Sequence, residues 1–105
     1  MDVIIKTTAQ GFLVNAHDWT SAWAIEQGRL QQIELTAAHW ELLYFMRHYY
    51  LTYQHLPNTR MFIKAVATQL GADKGNSIYV QRLFPQTPLK LICQLAGLPK
   101  PPNCL

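Results

Sequence analysis

Charged residues are scarce in this chain of 105 residues: 14% are Asp, Glu, Lys or Arg, against about 25% in a typical soluble domain. Aromatic residues make up 11% and hydrophobic residues half of the total, a balance that excludes an intrinsically disordered chain. No apolar run is long enough to span a bilayer, and the N-terminus lacks the layout of a signal peptide, so we expect a cytoplasmic location. The length predicts one domain over residues 1–105, and the low charge suggests an interface with a partner.

Cysteine occurs twice, as Cys93 and Cys104, and the two do not form a Cys-x-x-Cys pair. Two cysteines exclude a disulfide framework, and the missing pair excludes a thioredoxin-type redox motif. The four histidines include no two that are three or four residues apart, which is the spacing of local zinc-binding pairs. We therefore expect neither a metal site nor a bound cofactor.

Acidic residues are nearly missing from the second half of the chain. Residues 56–105 contain six basic residues and a single acidic one, Asp73, whereas residues 1–55 contain three basic and five acidic residues. This imbalance predicts that the C-terminal half attracts anions, such as nucleic acid, an acidic protein surface or a small sulfur oxyanion. A solvated basic face without a partner is the alternative.

The pattern of apolar and turn residues predicts a mainly helical (α+β) domain. Short apolar runs at residues 3–6 and 12–14 flank a glycine-containing turn and predict an N-terminal β-hairpin. Five helices should follow: one capped by Asp18 and ended by Gly28, one over 37–53 capped by Thr36, one from Asn58 or Thr59 to Gly71, one over 76–84, and one from Pro88 to Gly97. The second helix is apolar on nearly all sides, which predicts that it is central and largely buried.

Residues 97–105 differ from the rest of the chain because they contain three prolines within eight positions after Gly97. Proline excludes helix and favours an extended, polyproline-like arm, which would reach roughly 20–25 Å at about 3 Å per residue. Cys104 is the second-last residue, at the tip of this predicted mobile arm. A thiol at a chain end rarely belongs to a core, so it calls for a chemical explanation.

Sulfur carriage is the chemistry that fits a thiol on a narrow, stiffened arm. A thiolate at Cys104 would take the terminal sulfur of a donor persulfide and present it to the next protein. The terminal carboxylate disfavours that thiolate, so a cation should offset it: Lys100 nearby, or Arg60, Lys64 or Arg82 if the arm folds back. Cys93 is either a second redox thiol that releases the sulfur or an inert core residue.

Two other functions start from different features of the sequence. The third and fourth helices have the spacing of a helix-turn-helix, which would make the protein a DNA-binding regulator. The side chains that would then face base edges are Ser77, Tyr79, Gln81 and Arg82. A thiol hydrolase using Cys104 is disfavoured, because a nucleophile on a mobile tail is poorly preorganised.

The C-terminal sequence KLICQLAGLPKPPNCL at residues 90–105 resembles the signature of the DsrC/TusE family. Residues 57–61 (PNTRM), 83–85 (LFP) and 39–41 (HWE) also resemble its pattern. The resemblance implies an orthogonal helical bundle with an N-terminal hairpin, and a persulfide carried on Cys104.

The family resemblance leaves two branches open. In the TusE branch, such proteins accept sulfur from a TusBCD-like complex and pass it toward the tRNA 2-thiouridylase MnmA, which thiolates the wobble uridine. In the DsrC branch they serve dissimilatory sulfite reductase, and both cysteines take part. Residues 74–77 (KGNS) favour the TusE branch, whereas Cys93 matches the upstream cysteine of the DsrC branch.

Overall fold

The computed structural model describes residues 5–102, and five α-helices account for most of them. After a 3-10 turn at Ala16–Asp18, the helices are α1 (Ser21–Leu30), α2 (Ala37–Tyr53), α3 (Thr59–Leu70), α4 (Ser77–Leu83) and α5 (Pro88–Leu95). The prediction of a mainly helical bundle of five helices is therefore confirmed. None of the helices within residues 5–102 is both long and apolar enough to cross a membrane.

The predicted N-terminal β-hairpin is wrong for the part of the chain that the structure describes. A single antiparallel bridge joins Thr7 and Leu13, and no strand forms within residues 5–102. The backbone N–H of Val14 donates to the Lys6 carbonyl at 3.0 Å, but the pairing stops there. It stops because Asn15 follows at once, and its side chain accepts from the N–H of His17 to open the 3-10 turn.

Polar residues begin three of the helices, and two of them, Asn58 and Asn76, lie where the sequence predicts a helix start. The side chains of Thr20, Asn58 and Asn76 each accept a hydrogen bond from the backbone N–H three residues later, at 3.2, 2.8 and 2.8 Å. These bonds satisfy N–H groups that have no partner inside the helix. Thr20 takes the position predicted for Asp18, which instead lies in the 3-10 turn.

Gly28 does not end the first helix, contrary to the prediction, since α1 continues to Leu30. The residue is buried within the helix because the chain returns close beside it. The N–H of Ile33 donates to the Gly28 carbonyl at 2.7 Å, and a Cβ on Gly28 would lie 2.9 Å from the carbonyl oxygen of Ile33. The glycine is required here for close backbone approach rather than for helix termination.

His39 replaces the glutamate that usually completes a capping box. Its Nδ1 accepts from the backbone N–H of Thr36 at 3.1 Å and lies 2.8 Å from the Thr36 hydroxyl. The other ring nitrogen, Nε2, lies 2.9 Å from the Leu83 carbonyl at the end of α4. A buried histidine thus joins the start of α2 to the end of α4.

The C-terminal helix α5 lies at the centre of the core and packs against α1, α2 and α4. Its predicted inner face is confirmed, since Leu89, Ile92, Cys93 and Ala96 are all buried. The prediction that α2 is largely buried is wrong for part of the helix. Leu42, Leu43 and Met46 are buried, but other large apolar residues of α2 are exposed: Tyr44, Leu51 and Tyr53.

Candidate functional site

The end of α5 turns the chain sharply into the C-terminal arm. Gly97 adopts a left-handed conformation with φ of 72°, its N–H donates to the Gln94 carbonyl at 3.3 Å, and the Leu98 N–H donates to the Cys93 carbonyl at 2.9 Å. This pair of bonds is a Schellman motif, in which glycine avoids the strain of a side chain. A Cβ at residue 97 would also collide with Trp19 and Leu13. The predicted helix end at Gly97 is confirmed.

Three side chains from the N-terminal half bind the last carbonyl groups of α5. The indole N–H of Trp19 donates to the Leu95 carbonyl at 2.8 Å, and that of Trp23 donates to the Gln94 carbonyl at 3.0 Å. Arg47 of α2 donates from Nη1 to the Ala96 carbonyl at 2.8 Å and to the Ala16 carbonyl at 3.3 Å. The root of the arm is thus fixed from two sides, and we call these three residues the root clamp.

The charge of Arg47 suits its place in the root clamp. A cation near the C-terminus of a helix interacts favourably with the helix dipole. The guanidinium carbon also lies 4.3 Å from the centre of the Trp19 ring, in a cation–π contact. Partial burial lowers the pKa of Arg47 from its ordinary value, and Tyr44 acts in the opposite direction. The group stays charged, because arginine starts so far above neutral pH.

Beyond Gly97, the arm packs on the helical body as far as the structure describes it. Leu98 and Pro101 are buried, whereas Pro99 and Lys100 are exposed. Pro102 is the last described residue, and it lines a cavity of about 480 Å³. The burial of Leu98 and Pro101 gives the arm a fixed course across the body up to that cavity.

The cavity at Pro102, which we call the arm cavity, is formed where three helices begin or pass. Arg60 and its neighbours Asn58 and Thr59 contribute from the start of α3. Ser77 and Gln81 of α4 and the segment at residues 86–89 complete most of the wall. Phe62, Ile63 and Val80 add apolar side chains, so the lining is mixed and carries one guanidinium, from Arg60.

The structure brings one of the predicted supporting cations, Arg60, beside the end of the described arm. Lys100 lies on the arm itself and is exposed. Lys64 lies in a different groove, and Arg82 is exposed on α4 without lining the arm cavity. Among the cations considered for an arm that folds back, Arg60 is the one that lines the cavity at Pro102.

The structure describes Cys93 but not Cys104. Cys93 lies on the inner side of α5 and is completely buried, while its backbone carbonyl holds the N–H of Leu98. Cys104 lies outside the described residues, so its assigned role rests on the sequence and on the course of the arm that leads to it. Within residues 5–102, no group of three His, Cys, Asp or Glu side chains is arranged to hold a metal ion.

The residues considered for base recognition in a DNA-binding protein do not form one exposed face. Tyr79 is half-buried against the core, and Ser77 and Gln81 line the arm cavity. The Gln81 side chain also accepts from the N–H of Gln86 at 3.2 Å. Helix α4 therefore divides these side chains among the arm cavity, the core and, for Arg82, the solvent.

Comparison with known proteins agrees with the fold and with the special C-terminal sequence. A family model described as "DsrC like protein" matches residues 2–105, which is nearly the whole chain. The chain belongs to the DsrC-like family. The DsrC-like chain is also 48% identical over 101 residues to "Sulfurtransferase TusE homolog" of Haemophilus influenzae, covering 96% of this chain and 93% of that protein. It is 48% identical to "Sulfurtransferase TusE" of Sodalis glossinidius, covering 96% and 94% of the two chains.

Solved structures of the family show the same architecture. The NMR structure of DsrC from Allochromatium vinosum matches with a TM-score of 0.88 and 42% identity, covering 96% of this chain and 90% of that one. The crystal structure of the oxidized γ-subunit of the dissimilatory sulfite reductase (DsrC) from Archaeoglobus fulgidus matches with a TM-score of 0.77 and 32% identity, covering 96% and 92%. The predicted family and the predicted class, a sulfurtransferase that carries sulfur in a relay, are confirmed.

Sequence reasoning missed the root clamp of this DsrC-like chain. Its hydrogen bonds to the carbonyls of residues 94–96 join residues that are 49 to 76 positions apart, and no local pattern indicates such pairing. Trp19 and Trp23 are four residues apart, a spacing that predicts packing on one helix face but not which carbonyl each indole binds. The one available signal was the presence of indole N–H groups on an inward face, since such donors need a partner when buried.

Proposed function

We propose that this protein carries sulfur as a persulfide on Cys104 and passes it from a donor protein to an acceptor protein. The observation that carries the proposal is the course of the arm. The root clamp fixes its start, buried Leu98 and Pro101 hold its middle, and Pro102 brings its end to the arm cavity beside Arg60. No bound cofactor is required for this chemistry.

The transfer is a thiol–disulfide type of exchange in which atoms and charge balance. The Cys104 thiolate attacks the terminal sulfur of the donor's persulfide, a new S–S bond forms on Cys104, and the donor cysteine leaves as a thiolate. The acceptor then attacks the same terminal sulfur, and Cys104 returns to its thiolate. Catalysis by this chain consists of presenting the thiol and stabilising its anionic forms.

Arg60 is the residue that we propose stabilises the anion when the arm lies against the body. Cys104 is two residues beyond Pro102, so its Cα stays within about 7.6 Å of the Pro102 Cα, given 3.8 Å between successive Cα atoms. The Arg60 side chain lines the same cavity as Pro102. Its positive charge opposes the effect of the adjacent terminal carboxylate, and Lys100 supports it when the arm extends.

The proposed partners follow from the TusE-named relatives. We expect a TusBCD-like complex to donate the sulfur and an MnmA-type tRNA 2-thiouridylase to accept it, so that the wobble uridine of tRNA is thiolated, all within the cytoplasm. The relatives named as TusE sulfurtransferases at 48% identity over nearly the full length support this branch.

A second candidate is a DsrC-type role with dissimilatory sulfite reductase, and Cys93 favours it. This residue lies in the last turn of α5, shortly before the arm begins, and its carbonyl accepts a hydrogen bond from the N–H of Leu98. Attack of the Cys93 thiolate on the inner sulfur of loaded Cys104 would form a disulfide and release hydrosulfide, which balances without another reactant. The structures of DsrC proteins that match this chain support the same fold for such a role.

Intact-mass measurement after incubation with the purified TusBCD-like donor, previously loaded with sulfur, tests the proposal. Wild-type protein should gain one sulfur atom, Cys104→Ser should gain none, and Cys93→Ser should still gain one. A Cys104→Ser protein that gains sulfur would refute the site. Hydrosulfide released from the loaded wild type, but not from Cys93→Ser, would favour the DsrC-type role instead.

A further inference from the structure

A second large depression lies on the other side of α3 from the arm cavity. It has a volume of about 690 Å³ and runs between α2 and α3. We call it the α2–α3 groove and define it by Phe45, Tyr49 and Tyr53 of α2 together with Met61, Lys64 and Leu70 of α3. The residues already assigned to sulfur carriage do not use this groove.

Large apolar side chains of the α2–α3 groove are exposed to solvent. Tyr53 is 59% exposed and Met61 is 48% exposed. The Tyr53 ring packs against the Tyr49 ring at 4.9 Å between centres, and His55 lies 6.0 Å from Tyr49. Aromatic side chains held in place by their neighbours lose little entropy on binding, which is typical of the residues that dominate protein interfaces.

The charge around the groove has one sign. Residues 42–72, which include all of α3 and most of α2, contain no Asp or Glu. Lys64 lines the groove, and Arg60 follows on the same helix toward the arm cavity. An acidic partner is therefore attracted to this face, whereas a basic partner is repelled.

The partner that fits this face is a protein rather than RNA. RNA binding takes its affinity from several Lys or Arg contacts to phosphate, and Lys64 is the one formal cation that lines the groove. The wall is otherwise mainly aromatic and aliphatic, as in grooves that accept the apolar face of an amphipathic helix.

We propose that the α2–α3 groove docks an acidic amphipathic helix of the protein that exchanges sulfur with this chain. This inference rests on the proposed function and adds where the partner binds. Helix α3 carries both sites, because Arg60 lines the arm cavity while Met61 and Lys64 line the groove. A helix is about 10–12 Å across, so a partner helix in the groove lies about that far from the arm cavity, on the other side of α3.

Binding of fluorescently labelled protein to the purified TusBCD-like complex and to the MnmA-type enzyme tests the docking surface. Met61→Ala should weaken binding to at least one of them about tenfold, as expected for loss of an interface anchor. Lys64→Glu should lower the association rate, and the effect should shrink as salt rises. Matched controls are Ile25→Ala, which truncates an exposed apolar residue on α1, and Lys6→Glu, which reverses an exposed charge; both should bind like wild type.

Loading with glutathione persulfide separates docking from sulfur chemistry, because a small donor needs no docking surface. Met61→Ala and Lys64→Glu should load Cys104 from this donor at the wild-type rate, but load from the protein donor about tenfold more slowly. A wild-type protein that fails to load from glutathione persulfide contradicts the proposed function while leaving the binding result to decide the groove.

Three outcomes would overturn the proposed docking surface. Wild-type protein that binds neither purified partner would do so, and so would groove variants that bind like wild type while Ile25→Ala does not. The third is binding of unmodified tRNA by the protein alone that is lost in Met61→Ala and Lys64→Glu, which would assign the groove to RNA.

Discussion

The guanidinium of Arg47 on α2 donates a hydrogen bond of 2.8 Å to the carbonyl of Ala96, the residue at which α5 ends. The two residues are 49 positions apart, so the bond joins a helix in the middle of the chain to the root of the C-terminal arm. The direction in which the arm leaves the body therefore depends on the tertiary fold as well as on the turn at Gly97.

Removing the guanidinium group of Arg47 should destabilise the protein. Arg47→Met leaves the Ala96 and Ala16 carbonyls without their charged donor, which we expect to lower the free energy of unfolding by about 1.5–3 kcal/mol. Urea unfolding at neutral pH measures the change. Arg29→Met is the matched control, since that arginine is exposed and pairs with Glu26 on the surface, so it should change stability much less than Arg47→Met does. Equal effects of the two changes would contradict the importance of the root clamp.

A side chain at Gly97 should misdirect the arm as well as destabilise the fold. Gly97→Ala requires a left-handed conformation of alanine and a collision with Trp19, so we expect a loss of more than about 1 kcal/mol. Sulfur loading of the folded fraction should also slow, because the arm would leave α5 at another angle. Urea unfolding together with intact-mass kinetics checks both effects, and a variant as stable and as fast as wild type would refute the argument.

Local signals predicted much of the fold, and one prediction failed because a local turn formed in place of a strand. Thr36, Asn58 and Asn76 begin helices as predicted, since a cap involves residues only a few positions apart. The prediction of a hairpin was wrong. The second strand would have had to continue past Val14, but Asn15 begins a turn there, so one bridge between Thr7 and Leu13 is all that forms within residues 5–102.

Part of the candidate site could be predicted from the sequence, and part depends on how the helices pack. The arm and its penultimate Cys104 are evident from composition, and Arg60 was among several cations considered for it. That Arg60 lies at the arm cavity while Lys64 lies in the α2–α3 groove could not be predicted, because both residues are on α3 and only the packing of the other helices separates them.

Neutralising Arg60 should make the Cys104 thiol react at higher pH. A nearby cation favours a thiolate, so Arg60→Met is expected to move the midpoint of the alkylation-rate profile upward. The measurement is the rate of iodoacetamide labelling of Cys104 across pH, in a Cys93→Ala background so that one thiol is counted. Arg82→Met, which removes an exposed charge outside the arm cavity, should leave the midpoint in place. Equal shifts in both variants would assign the effect to overall charge.

Cys93 should prove dispensable for accepting sulfur. Cys93→Ala removes a fully buried sulfur atom, so we expect a stability loss of about 1 kcal/mol. Loading of Cys104 from the donor should stay within about twofold of wild type, a change of under 1 kcal/mol in activation free energy. Loss of loading in the folded variant, shown by stopped-flow transfer and urea unfolding on the same sample, would mean that Cys93 takes part in the transfer itself.

The central claim is that Cys104 holds the transferred sulfur and gives it up to the acceptor. A single-turnover chase tests it most directly: protein loaded with one sulfur atom is freed of donor, mixed with the MnmA-type enzyme, ATP and unmodified tRNA, and sampled over time. Fragmentation of the peptide spanning residues 91–105 should locate the extra sulfur on Cys104 at the start, and its loss should match the appearance of 2-thiouridine in tRNA. Sulfur found on Cys93, or sulfur that stays on Cys104 while 2-thiouridine forms, would contradict the account.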